Sequence, residues 1–549
     1  MAWVPRVDRV LLNARIYTFD ARFQVAKAVA IRNGRVVAVG STGEIRALAE
    51  AGTQIEDLAG AVVLPGLIDA HTHLLSTSLS LREVQLYDCR SILEILDRVR
   101  ERAAQTPPGQ WIVGRGWDEA LLAERRHPTR WELDRAAPDH PVVLQRVWNK
   151  LVANSAALAA AGVTRTTPDP PAGARYAGGF ERDPETGEPT GLFWDRAKQL
   201  ILDAIPEPSE AQLAEALRHG CRAYNAVGLV GVAEPGLDEP GIRAYQRLRD
   251  DGLLTVRADL LLGAWGYVPA QREPELKRWI GGMPVYSGFG DDLLRLGGVK
   301  FLLDGGVGDR TARFYEPYLD EPDNLGQWVV DPEEYPSLVR WVHELGWSID
   351  THTCGTAAQD LAVRAYVEAQ AAAPNPRLRH RVHHAYFPSQ EAVRLMAGHR
   401  IPALVSTPFL LHLGDSFIAS LGPERAARAM PMATYLAAGV PLAGTSDSPI
   451  TDFNPFVGIY AAITRRTALG HELDPSERIS REAALRSYTI GGAYALGQET
   501  VRGSLEPGKL ADLIVVDRDP LAVDEQSLKE TRVLRTMLGG AWVYEAGSA

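Results

Sequence analysis

Four histidines, one lysine and one aspartate carry the chemistry that this sequence suggests. His71 and His73 form an H-x-H in LIDAHTHLL. Strand positions two apart face the same side, so both imidazoles are expected to point inward at one strand's end. A surface pair is the ordinary alternative for that motif alone. Lys300 lies in the apolar stretch GGVKFLLDGG. A buried lysine is costly unless paired or neutralised. Either its amine snorkels at a strand end, or carbon dioxide has carbamoylated it and made it a metal ligand. His352 closes the apolar run SIDTHTC, where a satisfied core histidine is the plainer reading. His383 and His384 are adjacent in RVHHAYF. Neighbours in a strand face opposite ways, so at most one should face the interior. His384 is the expected ligand, which sends His383 to the helix layer or to groups behind the ligands. Asp447 follows small residues in AGTSDSP, where it could reach inward or only cap a helix. As a set, imidazoles with a carboxylate suit zinc or a similar divalent ion.

These residues need a scaffold that brings distant segments to one place. Eight apolar stretches read as strands alternating with helical segments: 67–75, 227–235, 255–262, 296–305, 347–354, 381–387, 401–408 and 441–449. Such alternation predicts a parallel sheet, and eight strands predict a (β/α)8 TIM-type barrel with its site at the strands' C-terminal ends. About 150 residues separate the first two candidates, too many for one crossover helix. An inserted subdomain is therefore expected at about 76–222. Both ends of the chain read as β-structure. AVAIRNGRVVAVG is a hairpin around Asn33-Gly34, and VLRTMLGGAWVYE is one around Gly539-Gly540. The expected division is a discontinuous β-sandwich from 1–64 and 500–549, with the barrel at 65–499.

Composition narrows the class. Of 549 residues, 46% are hydrophobic and 23% charged, which fits a globular chain. The net charge of −11 gives no footprint for nucleic acid or an anionic membrane. No run approaches a membrane span. The start has no apolar leader core, and three widely spaced cysteines argue against a disulfide framework or a cysteine zinc site. A cytoplasmic enzyme with a small-molecule substrate is expected, with a homodimer kept open as its assembly.

The sequence resembles the amidohydrolase superfamily, in the branch of YtcJ-like and N-substituted formamide deformylase-like proteins (amidohydrolase family 3). The matching stretches include VVLPGLIDAHTHL, GRGWDEA, GVKFLLDGGVGDRTARFYEPY, THTCG, RVHHA, TSDSPITDFNPFVGIYAAITR and GSLEPGKLADLIVVDRDP. The resemblance spans nearly the whole chain and implies a metal-dependent barrel beside a small β-sandwich. It implies that His71, His73 and Asp447 hold one metal. A carbamoylated Lys300 would bridge to a second, held by His352 and His384. Relatives commonly read H-A-x-G-D where this chain has His352-Thr353-Cys354-Gly355-Thr356, and E-H where it has His383-His384.

The implied reaction is hydrolysis of a non-peptide carbon–nitrogen bond by a metal-bound hydroxide, with Asp447 as general base and then acid. Two divalent ions are expected, zinc first, with manganese or iron and a single ion left open. An amino-heterocycle deaminase is the first alternative, but no Glu follows His352 in TCGTAAQD. Ester or lactone hydrolysis, and a non-catalytic metal-binding regulator, are the others. Trp117, Asn149, Asp304, Arg310 and Thr407 are the expected substrate contacts. Arg310, Arg313, Arg465 and Arg466 could anchor a carboxylate, while Trp117, Phe193, Trp194, Tyr315 and Phe409 could form aromatic walls. The balance predicts an uncharged N-substituted or cyclic amide.

Overall fold

Eight parallel strands follow one another around a sheet in chain order: β1 (Leu67–Asp69), β2 (Leu229–Leu237), β3 (Arg257–Trp265), β4 (Leu294–Leu302), β5 (Ile349–Thr353), β6 (Arg381–His384), β7 (Ala403–Val405) and β8 (Leu442–Gly444). They fall within or across all eight stretches expected as strands. The backbone N–H of Ala70 donates to Gly444 O at 3.4 Å, and that of Asp447 to His71 O at 2.9 Å. These bonds draw the first and last strands together and nearly close the barrel. The computed structural model describes residues 7–117, 119, 122–146, 150–169, 178–266 and 272–547.

The strands are largely buried on both faces, as parallel strands under helices must be. Val299 and Phe301 of β4 and Val382 of β6 are wholly inaccessible. Between strands, amphipathic helices such as Tyr335–Glu344 and Gln390–His399 complete the β/α units. Ser389 caps the latter by accepting from Ala392 N.

Strands from both ends of the chain share one sheet. Leu513–Val516 runs antiparallel to Val62–Pro65, and Val533–Leu538 pairs with Leu513–Val516. A four-stranded sheet of Arg35–Gly40, Ala28–Arg32, Arg9–Leu12 and Gln54–Asp57 accompanies it. The two hairpins expected at Asn33-Gly34 and Gly539-Gly540 are present, with positive φ at all four residues. Leu11, Val29, Val63, Leu513 and Met537 share one apolar cluster. Buried ion pairs fix these strands to the entry side of the barrel. Arg257, which begins β3, donates to Asp512 at 2.7 and 2.8 Å. Arg502 donates to Asp259 at 2.7 Å.

The chain divides into two compact units, Met1–Thr77 with Leu213–Ala549, and Ser78–Gln212. The second holds a six-stranded mixed sheet, in the order Gly179–Arg182, Pro189–Trp194, Lys150–Ala153, Val142–Arg146, Ile112–Arg115 and Val84–Gln85. Trp117 lies in one of its apolar clusters and Phe193 in another.

Candidate metal centre

The candidate ligands gather where the barrel strands end. β1 stops at Asp69, so His71 and His73 lie in the turn before the helix Leu74–Ser80 rather than in the strand. The buried Asp69 carboxylate sets that turn. It accepts from the backbone N–H of His71 at 3.1 Å and of Ser446 at 3.2 Å, tying the loop after β1 to the loop after β8. The turn brings both imidazoles to one carboxylate. His71 Nε2 lies 2.9 Å and His73 Nε2 3.3 Å from Asp447 Oδ1.

Asp447 and His384 both have positive φ, 54° and 68°. A non-glycine residue pays for that conformation, and such strain gathers at working sites. At His384 it corrects an expectation. Strand alternation would have put His383 and His384 on opposite faces, but the pleat breaks at the end of β6. Both rings therefore approach His71, with centroids at 4.1 Å for His383 and 5.4 Å for His384. Of the two courses expected for His383 it takes the second, toward the groups around the ligands, with Lys300 Nζ 2.9 Å from its Nδ1. The other ring nitrogen of His383 meets Asp350, which also accepts from Arg381 Nε at 2.7 Å. Arg381, Asp350, His383 and Lys300 thus form a buried line of polar contacts. Sequence reasoning missed Asp350, although its place two residues before His352 in one strand is a usable signal.

Two groups of ligand atoms lie close enough to share an ion. His71, His384 and Asp447 form one, and His352, Cys354 and His384 the other, with the ligand atoms of each within 4.8 Å of one another. His384 belongs to both. Its Nδ1 is 3.1 Å from Ser406 Oγ, which leaves Nε2 as the candidate ligand atom. The donor set fits a divalent ion. Buried imidazole nitrogens gathered around one carboxylate are ligands that zinc takes.

Electrostatics point the same way. Burial, then the Lys300 charge nearby, keeps the His71 imidazole neutral, and burial with neighbouring charges does the same for His352, His383 and His384. Burial would raise the Asp447 carboxyl, but hydrogen bonds to His71 and His73 hold it well below the usual range. Neutral imidazole and ionised carboxylate are the forms that bind metal. Burial lowers the Lys300 amine to about 8.

The expected substrate contacts fare differently. Asp304 accepts from the backbone N–H of Arg313, Cys354 and Gly355 at 2.8–2.9 Å, so it clasps two loops together. Gly355 is required there, since a Cβ would come within 2.1 Å of Arg313 O. Arg310 donates to Glu321 at 2.6 Å and to the carbonyls of Leu319 and Ala419. Arg313 donates to Gly326 O. Arg465 is buried and donates to the carbonyls of Leu473, Met430, Ala427 and Ala429. Arg466 lies 3.9 Å from Glu472. Thr407 is buried, its hydroxyl 2.9 Å from that of Tyr488. Phe409 lies beside His384 and Tyr386, whereas Tyr315 is largely exposed. Asn149 lies outside the described residues, and Trp117, Phe193 and Trp194 belong to the inserted unit.

A barrel with histidines, a lysine and an aspartate at its strand ends defines the class as a metal-dependent hydrolase of the TIM-barrel type. The sequence model of the amidohydrolase family matches residues 54–544, and the chain belongs to that family. It is similar to YtcJ of Bacillus subtilis (strain 168), with 31% identity covering 96% of this chain and 98% of that protein. It is also similar to the N-substituted formamide deformylase of Arthrobacter pascens, with 30% identity covering 98% of each. Among solved structures, it resembles an uncharacterized metal-dependent hydrolase from Pyrococcus furiosus, with a TM-score of 0.76, 28% identity, and coverage of 93% of this chain and 99% of that one. The enzyme is accordingly a metal-dependent amidohydrolase, acting on carbon–nitrogen bonds other than peptide bonds. No helix among its described residues is long and apolar enough to cross a membrane.

Proposed function

We propose that this enzyme hydrolyses the amide bond of an uncharged N-substituted formamide, amide or cyclic amide, using two divalent ions. His71, His73 and Asp447 would hold one ion and His352 and His384 the other, with Lys300, once carbamoylated, as a further ligand. The observation that carries this reading is that His71 Nε2 and His73 Nε2 lie 2.9 and 3.3 Å from Asp447 Oδ1, with His352 and His384 grouped beside them. When bound, the ions supply a water of lowered pKa and polarise the substrate carbonyl; zinc suits the donors.

The protein's own groups do the rest. Asp447, ionised and touching both H-x-H imidazoles, takes the proton of the attacking water and delivers it to the leaving nitrogen. The Lys300 amine, lowered to about 8 by burial, is partly neutral near neutral pH, and the neutral amine is what adds carbon dioxide. An uncharged substrate is supported because Arg310, Arg313 and Arg465 already donate to protein oxygens. Phe409 and Tyr386 offer an aromatic wall next to His384. The formamide deformylase at 30% identity supports the bond type. Three unpaired cysteines fit a reducing cytoplasm.

The test joins metal analysis to a substrate panel. Purified protein should carry about two divalent ions per chain, and His71→Ala or His73→Ala should lose at least one. Neutral N-substituted amides should turn over faster than their carboxylated analogues. Active protein without metal, or a clear preference for the carboxylated compounds that an Arg310 or Arg313 variant abolishes, would sink the proposal.

A further inference from the structure

Cys354 stands two residues after His352, in the loop that leaves β5. It is buried, and its Sγ lies 3.4 Å from His352 Nε2. We infer that Cys354 is a sulfur ligand to the ion between His352 and His384, so that this position offers two nitrogens and a thiolate. The inference rests on the reading above that a divalent ion sits there.

Three observations support it. The first is distance. A tetrahedral zinc with Zn–N of about 2.0–2.1 Å and Zn–S of about 2.3 Å sets its nitrogen and sulfur ligands roughly 3.5 Å apart. The Cys354–His352 separation of 3.4 Å is that edge, and His384 completes a triangle whose ligand atoms all lie within 4.8 Å. The second is fixation. Asp304 accepts from the backbone N–H of Cys354 at 2.9 Å and of Gly355 at 2.8 Å, which pins the sulfur's carrier to the loop after β4. A ligand held by such a clasp needs little reorganisation to bind. The third is contrast with a second buried thiol of the same unit. Cys221 lies on the packed face of the helix Glu210–Ala226, the ordinary setting of a structural cysteine, and joins no ligand group among the described residues. Cys354 instead faces an imidazole. On binding, its thiol proton leaves to solvent and a sulfur–metal bond forms. A thiolate also selects among ions, favouring zinc or cobalt over manganese.

X-ray absorption at the zinc edge of the zinc-loaded full chain decides the matter. The expected result is a sulfur neighbour at about 2.3 Å alongside nitrogen and oxygen neighbours. Because the chain has three cysteines, Cys354→Ser should lose the sulfur signal, while Cys89→Ser and Cys221→Ser keep it. That pair assigns the sulfur even if Cys354→Ser folds poorly. Cobalt-loaded protein should show a sulfur-to-cobalt charge-transfer band in the near ultraviolet that follows the same pattern. Zinc with only nitrogen and oxygen neighbours, or a sulfur signal surviving in folded Cys354→Ser, overturns the inference and leaves the two-metal reading standing. Failure of the wild-type chain to bind zinc at all removes both.

Discussion

Asp447 has two duties in the proposed reaction, and they can be separated. Its Oδ1 is within 2.9 and 3.3 Å of the two H-x-H imidazoles, so an amide oxygen at that place still offers a ligand. Asp447→Asn is expected to retain metal, measured by elemental analysis, yet lose roughly 10²-fold or more in kcat, the usual worth of a positioned base. A metal-loaded variant with near-normal turnover would give the proton to another residue. Lys300 allows a complementary experiment. Lys300→Ala should lose most activity, and formate or acetate should restore part of it by occupying the vacated space; no rescue over a wide range of carboxylate would argue against a carbamate. Residue types were readable in the chain because few reasons exist for a lysine among apolar strand residues or an aspartate after a glycine-threonine-serine run. Directions were less readable. Alternation assumes an unbroken pleat, and the positive φ of His384 breaks it where His383 turns to Lys300. Nothing local in RVHHAYF announces that turn.

Short polar clasps between consecutive strand loops hold the candidate centre in shape. Asp304 follows β4 and receives three backbone N–H groups from two loops, and burial raises its carboxyl to about 7. Asp304→Ala strips those donors, each costing about 1–3 kcal/mol if left unmatched. It should loosen His352 and Cys354 together, so that one of the two ions is lost first on titration with a chelator. Equal loss of both ions would deny the clasp this local role. Arg465, after the helix Pro455–Thr464, donates to four carbonyls. Arg465→Met should lower stability by about 3 kcal/mol or more, seen in thermal melting, with the substrate preference of surviving enzyme unchanged. A changed preference for carboxylated substrates would return Arg465 to the binding site. The eight strands were legible because the stretches holding them alternate with helical segments and most begin in apolar residues. That Asp304 and Arg310 already hold protein groups was not legible, because sequence shows that a polar residue follows a strand, not which neighbours it meets.

Across the whole molecule, protonation should set acid stability in the metal-free protein. Burial keeps His71, His352, His383 and His384 neutral and lowers His380 to about 3. Once unfolded, each takes a proton below about 6.5, so acidification favours the unfolded chain. Three buried carboxyls, Asp69, Glu234 and Asp304, are raised to about 7 and oppose this, since they gain protons in the fold before the unfolded chain does. Their opposition ends near pH 4, where the unfolded carboxyls titrate as well. Asp447, held low in the fold, then adds to the loss. Melting temperature should fall gently below about pH 6.5 and steeply below about pH 4; a flat profile through pH 4 would mean the imidazoles are not held neutral. The terminal sheet acts on the same scale. Val62–Pro65 has Leu513–Val516 as a neighbour, roughly 450 residues further on. At about 5–20 residues per second of synthesis, that strand waits roughly 20–90 s with one edge unmatched. A nascent chain in that interval offers an open strand edge beside a barrel not yet anchored to its base. Aggregation of this chain during synthesis should therefore be greatest while that strand waits, before there is any enzyme at all.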